Sequence, residues 1–312
     1  MTTTAHRLPM IVDEVEVVRV ELLTPSFVRI ELGSPALADF GVDGPLWDQR
    51  IKLVFPGDSG RVPSFAGADE SWYATWLDIP EGERGHMRTY TVRDVVGSGA
   101  DTRLVVDFVL HLAEGATGPA SSWAAAARPG DRLVVVAPRR GDAFGGIEFA
   151  PGTAQRLLLV GDETAVPAVA AILEQLPAGA RGAAFLAVPV SGDALDLDGP
   201  VGVEVVWLPR DGAPLGERLH GAVVAHLGAP VEPSSESDAE VEPNLWETPT
   251  FSSSGEAVDE AGGPVHADLY AWIAGESGVV TGLRRHLVRG LGIDRRQVAF
   301  MGYWRQGVAM RS

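Results

Sequence analysis

The sequence predicts two domains, an N-terminal antiparallel six-stranded β-barrel followed by an α/β domain with a parallel sheet. Its 312 residues are enough for two domains of ordinary size. Residues 1–152 contain about six short β-type runs separated by Gly and Pro, which is typical of a small barrel. From residue 153 to residue 312 apolar runs alternate with helical stretches, as in a parallel sheet with crossover helices.

The first domain is predicted mainly from its β-type runs. In chain order these are Val12–Val20, Phe27–Leu32, Ile51–Phe55, Arg88–Arg93, Arg103–Leu110 and Arg132–Ala137. A short helix is predicted over Ser121–Ala127, because this segment is alanine-rich, starts with a residue that can serve as an N-cap and is stopped by Pro129 and Gly130.

The second domain opens with the apolar run Arg156–Val160, which ends at Gly161 and leads into a helix over Ala165–Leu176. Later elements are the strands Ala183–Val188, Val203–Leu208 and Leu269–Ala274, a helix over Val279–Leu291 and a last strand Gln297–Phe300. Residues 230–268 carry ten acidic residues and no Lys or Arg, so we interpret them as a mobile acidic insertion. The arginine-rich C-terminal region is interpreted as a solvated helix face.

Composition excludes several classes of protein. With no cysteine, the chain has no disulfide, thiolate metal site or cysteine nucleophile, so redox chemistry would need a bound organic cofactor or a non-thiolate metal. A net charge of −17 disfavours nucleic acid and anionic lipid as partners. No apolar run approaches the roughly 18–20 residues of a membrane helix, and residues 1–10 lack the pattern of a signal peptide. We therefore expect a cytoplasmic monomer without integral membrane association.

Three segments of the first domain predict a flavin dinucleotide site. In the strand Arg88–Arg93, Arg88 and Tyr90 share one face, which suits a flat ring linked to a phosphate, although an ordinary edge strand is the alternative. The segment Asp107–His111 and the helix start Gly118–Trp123 follow, and backbone N–H groups at a helix start bind anions. The candidate residues are Arg88, Thr89, Tyr90, Thr91, Asp107, Val109, His111, Gly118, Ala120, Ser121, Ser122 and Trp123.

Two turns of the second domain predict a nicotinamide dinucleotide site. Gly161–Pro167 joins a buried strand to a helix, which is where doubly wound folds bind ligands, although GxGxxG is lacking and Thr164 could be only an N-cap. Gly275–Gly278 forms a second turn of the same kind. The candidate residues are Asp162, Glu163, Thr164, Ala165, Gly275, Glu276 and Trp304.

The electron donor is predicted as NADH or NADPH, with NADH favoured. No Arg or Lys follows the strand Ala183–Val188 until Arg210, whereas Asp193 could accept a bond from a ribose hydroxyl. If NADPH is the donor, Arg210 or an arginine of the C-terminal helix is the candidate for binding its 2′-phosphate.

These motifs resemble the siderophore-interacting protein family, which comprises FAD-dependent ferric-siderophore reductases of the ferredoxin-reductase-like superfamily. The resemblance runs in order through DQRIKLVFP, RTYTVR, VDFVLH, GPASSWA, GDETAVPA, YAWIAGE and GYWRQG, and so covers nearly the whole chain except the acidic insertion. One departure is Ala137–Gly141, which has two arginines where the family more often has one after Gly-Pro.

The resemblance implies an FAD-binding barrel and an NAD(P)H-binding α/β domain. It implies that hydride passes from the nicotinamide to FAD and that electrons pass singly to a siderophore-bound Fe(III), releasing Fe(II). Lys52, Arg139 or Arg140, and Arg305 would face the iron complex. The alternative for Lys52 is a structural lysine that lies along a barrel strand, and the alternative for Arg305 is a guanidinium stacked on Trp304 or Tyr303. The alternative functions are a general flavin-dependent reductase and a non-catalytic flavin- or siderophore-binding module.

Overall fold

The computed structural model describes residues 8–65, 68–69, 71–111, 118–228, 246–248, 251–252 and 266–308. The chain divides into two compact units, one up to residue 147 and one from residue 148 to residue 311. No helix in these described ranges is long and apolar enough to cross a membrane.

The first unit is built on a seven-stranded antiparallel sheet. Its strands are β1 (Met10–Thr24), β2 (Phe27–Gly33), β3 (Arg50–Phe55), β4 (His86–Thr91), β5 (Asp94–Val96), β6 (Arg103–Val109) and β7 (Arg132–Pro138), arranged in the order β4-β3-β7-β1-β2-β6-β5. In the described part of this unit, the α-helices α1 (Trp72–Asp78) and α2 (Pro119–Ala126) accompany them. The six predicted strands are confirmed, and β5 is an additional strand of three residues that sequence analysis missed.

The sheet curls because its two outermost strands follow each other in the chain. Only Val92 and Arg93 separate β4 from β5. The backbone N–H of Val92 donates to the backbone carbonyl of Gln49, directly before β3, at 2.8 Å. The backbone N–H of Arg93 donates to the backbone carbonyl of Val105, on β6, at 2.9 Å. The chain thus passes from the side of β3 to the side of β6 within two residues, which gives the sheet its barrel-like form.

Alternation along the strands produces an inner and an outer apolar layer. On β7, Leu133 and Val135 lie in the barrel core, whereas Val134 belongs to a second cluster with Val54 and Trp76. Helix α1 contributes Trp76 to that outer cluster, while α2 contributes Ala120 and Ala124 to the core on the inner side. The two helices therefore cover opposite faces of the sheet.

The start of α2 corrects the sequence prediction. The helix begins at Pro119 with Gly118 as its N-cap, so Ser121 is not the N-cap but lies within the first turn. Proline suits this first position because its fixed φ is helical and its missing N–H would have had no helical acceptor. The hydroxyl oxygen of Ser121 instead accepts the backbone N–H of His111 at 2.9 Å.

The second unit is an α/β domain with a mixed sheet. Its strands are β8 (Arg156–Gly161), β9 (Gly182–Val188), β10 (Val203–Pro209), β11 (Trp246–Thr248), β12 (Phe251–Ser252), β13 (Leu269–Glu276) and β14 (Val298–Trp304), in the order β10-β9-β8-β13-β14-β11-β12. The first five strands of that order are parallel, as predicted, and β11 and β12 add an antiparallel edge. The helices are α3 (Val166–Gln175), α4 (Glu217–His226) and α5 (Ser277–Arg284).

Two helices of the second unit begin or end elsewhere than predicted. The N-cap of α3 is Ala165 and not Thr164. Helix α5 starts at Ser277, two residues before the predicted start, because Glu276 caps it by accepting the N–H of Val279 at 3.0 Å. Beyond α5, residues 285–290 form a π-helical turn where the prediction continued the α-helix.

Most of the acidic insertion, residues 230–268, lies outside the described residues. Its described strand β11 pairs antiparallel with β14, so this part is a strand of the sheet and not a mobile loop. Glu247 of β11 is fully buried and is ion-paired with Arg284 and Arg295. These two arginines are therefore buried ion-pair partners and not part of a solvated helix face, because their side chains are only 13% and 10% exposed.

Candidate functional site

The strand β4 presents Arg88 and Tyr90 on the inner face of the barrel. In the β3–β4 register Tyr90 lies opposite Ile51 and Arg88 lies opposite Leu53. Both partners on β3 are buried in the barrel core. The predicted pairing of an aromatic ring and a guanidinium on one face is therefore present.

Tyr90 belongs to an aromatic cluster that connects β4 with α2. Its ring centroid is 4.5 Å from that of Phe108 and 6.0 Å from that of Phe55. Phe55 in turn lies 5.2 Å from Trp123 of α2. Burial raises the pKa of the Tyr90 phenol, so the side chain is neutral at physiological pH. The cluster brings the predicted strand and helix motifs together, and Phe55 is a member that sequence analysis missed.

The start of α2 and Arg88 supply the groups that a diphosphate needs. The first intrahelical bond of α2 runs from the N–H of Ser122 to the carbonyl of Gly118, at 3.0 Å. The amides of Ala120 and Ser121 precede it and have no acceptor within the helix. Arg88 donates to the carbonyl of Met87 at 2.7 Å, and burial lowers the pKa of its guanidinium, which stays charged.

The side chain of Asp107 is engaged within the barrel wall. Its carboxylate accepts two bonds from Arg29, at 2.7 and 2.8 Å, across the β2–β6 pair. Arg93 lies 3.9 Å from the same carboxylate. Asp107 therefore belongs to an ion-pair cluster of the barrel wall and not to the candidate flavin site. Of the other predicted residues, Thr91 is buried opposite Arg50, and Val109 ends β6 opposite Phe27.

Lys52 lies on the outer face of β3, opposite Thr89. Its ammonium donates to the Thr89 hydroxyl at 2.6 Å. Partial burial of the ammonium, together with repulsion from Arg50, lowers its pKa, although much of the side chain is exposed. A partly desolvated ammonium interacts more strongly with an anion than a fully hydrated one does.

The two arginines after β7 differ in their partners. Arg139 is ion-paired with Asp39 at 2.5 Å and also donates to the carbonyl of Met10 at 3.3 Å. Arg140 is exposed and donates to the carbonyl of Phe40 at 3.0 Å. The charge of Arg139 is therefore compensated by a carboxylate, whereas Arg140 donates to a neutral carbonyl. Arg305 lies in the second unit, directly after β14.

In the second unit, Asp162 joins the carboxyl ends of three strands. Its Oδ1 accepts the N–H and the hydroxyl of Thr164, at 2.9 and 2.6 Å. Its Oδ2 accepts the N–H of Glu276 at 2.7 Å and the indole N–H of Trp304 at 2.8 Å. Burial, and then repulsion from Glu163, raises the pKa of Asp162 to about 6. This carboxylate thus brings together predicted residues from β8, β13 and β14.

The turn after β13 depends on Gly275 and Glu276. Gly275 has a φ of 145°, and a Cβ at this position would lie 2.6 Å from Oδ2 of Asp162. Only glycine therefore allows the carboxylate to approach this backbone. The two oxygens of Glu276 accept the N–H groups of Val279 and Gln306, at 3.0 and 3.2 Å. The side chain of Glu276 therefore shapes the turn.

Glu163 and Arg210 form a buried ion pair that sequence analysis missed. The guanidinium donates two bonds to the carboxylate, at 2.5 and 2.9 Å. Their side chains are 1% and 14% exposed. The sequence could have indicated this pair, because residues of opposite charge follow two predicted parallel strands and the carboxyl ends of such strands meet at one edge of the sheet.

Family models match both units of the chain. The model of the siderophore-interacting FAD-binding domain matches residues 16–142, and that of siderophore-interacting protein matches residues 154–307. The chain belongs to the siderophore-interacting protein family. Among the described residues no group of three or more His, Cys, Asp or Glu side chains could hold a metal ion.

Relatives from three bacteria are 30–38% identical to this chain over the aligned residues. An uncharacterized protein of Mycobacterium tuberculosis is 38% identical over 200 residues, covering 63% of this chain and 65% of that protein. Ferric vibriobactin reductase ViuB of Vibrio cholerae is 30% identical over 197 residues, covering 62% of this chain and 65% of that protein. The NADPH-dependent ferric-chelate reductase of Escherichia coli is 35% identical over 163 residues, or 52% of this chain and 56% of that protein. The chain thus spans somewhat less than two thirds of the length of these relatives.

Three solved structures match almost the whole chain. A siderophore utilization protein from T. fusca has a TM-score of 0.69 and 29% identity, covering 98% of this chain and 97% of that chain. The siderophore-interacting protein SipS from Aeromonas hydrophila has a TM-score of 0.64 and 29% identity, covering 97% of this chain and 94% of that chain. A ferredoxin reductase in carbazole 1,9a-dioxygenase, with a TM-score of 0.57 and 18% identity, covers 95% of this chain and 70% of that chain and shares the fold.

Proposed function

We propose that this protein is an NAD(P)H-dependent, FAD-containing oxidoreductase that reduces a ferric siderophore. The observation that supports it most is that the barrel of an FAD-binding family brings Arg88, Tyr90 and the first turn of α2 onto one face. Relatives named as ferric vibriobactin reductase and ferric-chelate reductase support the iron substrate.

The residues present fit the chemistry of FAD. Arg88 and the amides of Ala120 and Ser121 would hold the diphosphate, because a guanidinium and helix-start N–H groups bind anionic oxygens. Tyr90, fixed by Phe55 and Phe108, would lie against the flavin ring. Bound FAD supplies exchange between a two-electron donor and a one-electron acceptor, which amino-acid side chains do not provide.

The overall reaction balances with one donor and two iron complexes. NAD(P)H loses two electrons and becomes NAD(P)⁺ with release of one proton, and two Fe(III) each gain one electron to become Fe(II). Hard oxygen ligands hold Fe(II) less tightly than Fe(III), so reduction releases the iron from an oxygen-donor siderophore.

Lys52, Arg140 and Arg305 are proposed as the groups that bind the anionic siderophore complex. Lys52 has a partly desolvated ammonium, and Arg140 is exposed and donates to the neutral carbonyl of Phe40. Arg139 is the weaker candidate because Asp39 already neutralises it. A protein of net charge −17 needs such local positive charge to attract an anion.

The test is an absorption spectrum of the purified protein, recorded without oxygen before and after adding NADH or NADPH. We expect a flavin spectrum that bleaches with the donor and returns when a ferric siderophore is added, with one donor consumed for every two Fe(II) trapped by a ferrous chelator. A flavin that never bleaches would identify a non-catalytic binding module. Equal rates with all ferric chelates and with unrelated acceptors would identify a general flavin-dependent reductase.

A further inference from the structure

The ion pair between Glu163 and Arg210 crosses the carboxyl edge of the sheet. Glu163 follows β8 and Arg210 follows β10, while β9 lies between these two strands. The backbone N–H of Arg210 also donates to the carbonyl of Val188, the last residue of β9, at 2.8 Å. The paired side chains therefore pass over the carboxyl end of β9.

This place in the fold is where a dinucleotide presents its adenosine ribose. In doubly wound sheets the pyrophosphate lies at the first strand–helix turn, and the ribose lies at the end of the neighbouring strand. Here the first turn follows β8, and the neighbouring strand is β9. At that position an acidic side chain selects the ribose 2′-hydroxyl, whereas an arginine accommodates a 2′-phosphate.

Acidic groups outnumber the arginine at this edge. Besides Glu163, both Asp162 and Asp193 interact electrostatically with Arg210. All three acidic residues are buried. Asp193 accepts the N–H of Val190 at 3.2 Å, which holds its carboxylate at the end of β9. One guanidinium thus faces three carboxylic groups, and a 2′-phosphate would add further negative charge.

We propose that Glu163 is a specificity-determining residue that makes the protein select NADH over NADPH. This proposal rests on the proposed function in taking a nicotinamide dinucleotide as the donor. Glu163 acts in two ways: it engages both terminal nitrogens of Arg210, and it adds negative charge beside the 2′ position. The arginine that could have bound a 2′-phosphate is therefore withdrawn from that task.

The test compares two adenosine nucleotides that contain no nicotinamide, 5′-AMP and adenosine 2′,5′-bisphosphate. Calorimetric titration of the purified protein should show that 5′-AMP binds at least as tightly as the bisphosphate. Glu163→Gln keeps the side-chain shape and removes the charge. We expect this variant to bind the bisphosphate at least tenfold more tightly than the unmodified protein does, with little change in its affinity for 5′-AMP. Adding Arg210→Gln to this variant should abolish that gain, because the gain requires the released guanidinium.

A control variant removes the same charge elsewhere. Glu174→Gln changes an exposed residue near the end of α3, and α3 begins at the carboxyl edge and runs away from it. We expect no change in nucleotide preference for this variant. The ratio of kcat/KM for NADH to that for NADPH should fall tenfold or more in Glu163→Gln and stay constant in Glu174→Gln.

Four outcomes would overturn the proposal. The first is that the unmodified protein binds the bisphosphate more tightly than 5′-AMP. This outcome needs no variant, so it tests the proposal even if Glu163→Gln fails to fold. The second is an unchanged nucleotide preference in folded Glu163→Gln, and the third is an equal gain in bisphosphate affinity in Glu174→Gln. If neither nucleotide binds, the edge holds no adenosine ribose and the proposal fails. The proposed function fails separately, when no ferric siderophore is reduced although the nucleotides bind.

Discussion

At the scale of single residues, Asp162 shows how one buried carboxylate organises a site. It accepts four hydrogen bonds that come from three different segments of the second unit. These bonds favour its charged form, but burial and the nearby Glu163 outweigh them, since its pKa is raised to about 6. The charged form is therefore less favourable in the folded protein than in the unfolded chain.

This raised pKa predicts how stability depends on pH. The folded protein binds the proton of Asp162 more tightly than the unfolded chain does, so the contribution of Asp162 to the free energy of unfolding falls as pH rises from about 4 to above 6. Asp162→Asn removes this titration. We expect the free energy of unfolding of the unmodified protein, minus that of the variant, to fall by on the order of 2–3 kcal/mol between about pH 4 and pH 7.

Urea unfolding at several pH values measures this difference. Asp268→Asn is the control, because the bond from Arg156 lowers the pKa of exposed Asp268, so its contribution must change with pH in the opposite direction. Stability curves of the unmodified protein and Asp162→Asn that stay parallel across this range would contradict the prediction.

The sequence could name these residues without showing how they meet. Asp162, Glu163 and Glu276 were predicted for one site because each lies at or next to the carboxyl end of a predicted strand. Trp304 lies four residues beyond the last predicted strand, so no strand end explained its candidacy. Which side chain bonds to which depends on rotamers and on the close approach that Gly275 allows. The pairing of Glu163 with Arg210 likewise joins positions 47 residues apart, a contact that no local pattern encodes.

At the scale of elements, the start of α2 is predicted to bind phosphate. Gly118 has an extended conformation with φ −83°, and a Cβ there would meet no atom of the described residues within 4 Å. Gly118→Asp should therefore fold normally, since Asp is a good N-cap. Its carboxylate would compete for the same amides and repel the diphosphate, so we expect FAD affinity, measured by fluorescence titration of the protein freed of flavin, to fall tenfold or more.

Gly118→Asn separates the effect of charge from that of capping. Asn caps the helix equally well but is neutral, so its loss of FAD affinity should be several-fold smaller than that of Gly118→Asp. Unchanged FAD affinity in the Asp variant would show that this helix start does not bind the diphosphate.

The strand β11 is predicted to stabilise the second unit through Glu247. Glu247→Ala leaves the guanidinium groups of Arg284 and Arg295 buried without their carboxylate. Removing one partner from a buried ion pair costs about 3–5 kcal/mol. Urea unfolding should show a loss of this size, whereas Glu204→Ala, at an exposed position of β10, should change stability by less than about 0.5 kcal/mol. Similar losses in both variants would contradict the role of the buried pair.

Long elements were predictable, and short ones were not. The strands from β1 to β4 and from β8 to β10 were recognised because runs of five or more residues show their pattern. The strands β5 and β11 have three residues each, too few to show alternation. β11 is also held by Glu247, and an acidic residue within an acidic stretch gives no sign that it will be buried opposite arginines.

At the scale of the whole molecule, the order of strands and helices along the chain was the main basis for predicting the fold. A run of strands followed by alternating strands and helices determines the two fold classes, because parallel strands need crossover connections and antiparallel strands do not. Net charge is the other global property. At −17 it opposes any anionic substrate, so binding of such a substrate must depend on a few local cations.

Lys52 and Arg305 are two such local cations. If the siderophore complex is anionic, Lys52→Ala and Arg305→Ala should each raise its KM about five- to tenfold, the equivalent of roughly 1 kcal/mol for one partly solvated charge pair. Steady-state rates with an uncharged acceptor should change little, because the flavin and the donor are not affected. Lys52→Arg should recover only part of the loss, since a planar guanidinium does not replace a compact ammonium that also donates to Thr89. Equal losses with charged and uncharged acceptors would mean that these residues support the flavin or the fold, and the binding of the iron complex would then have to be assigned to other residues.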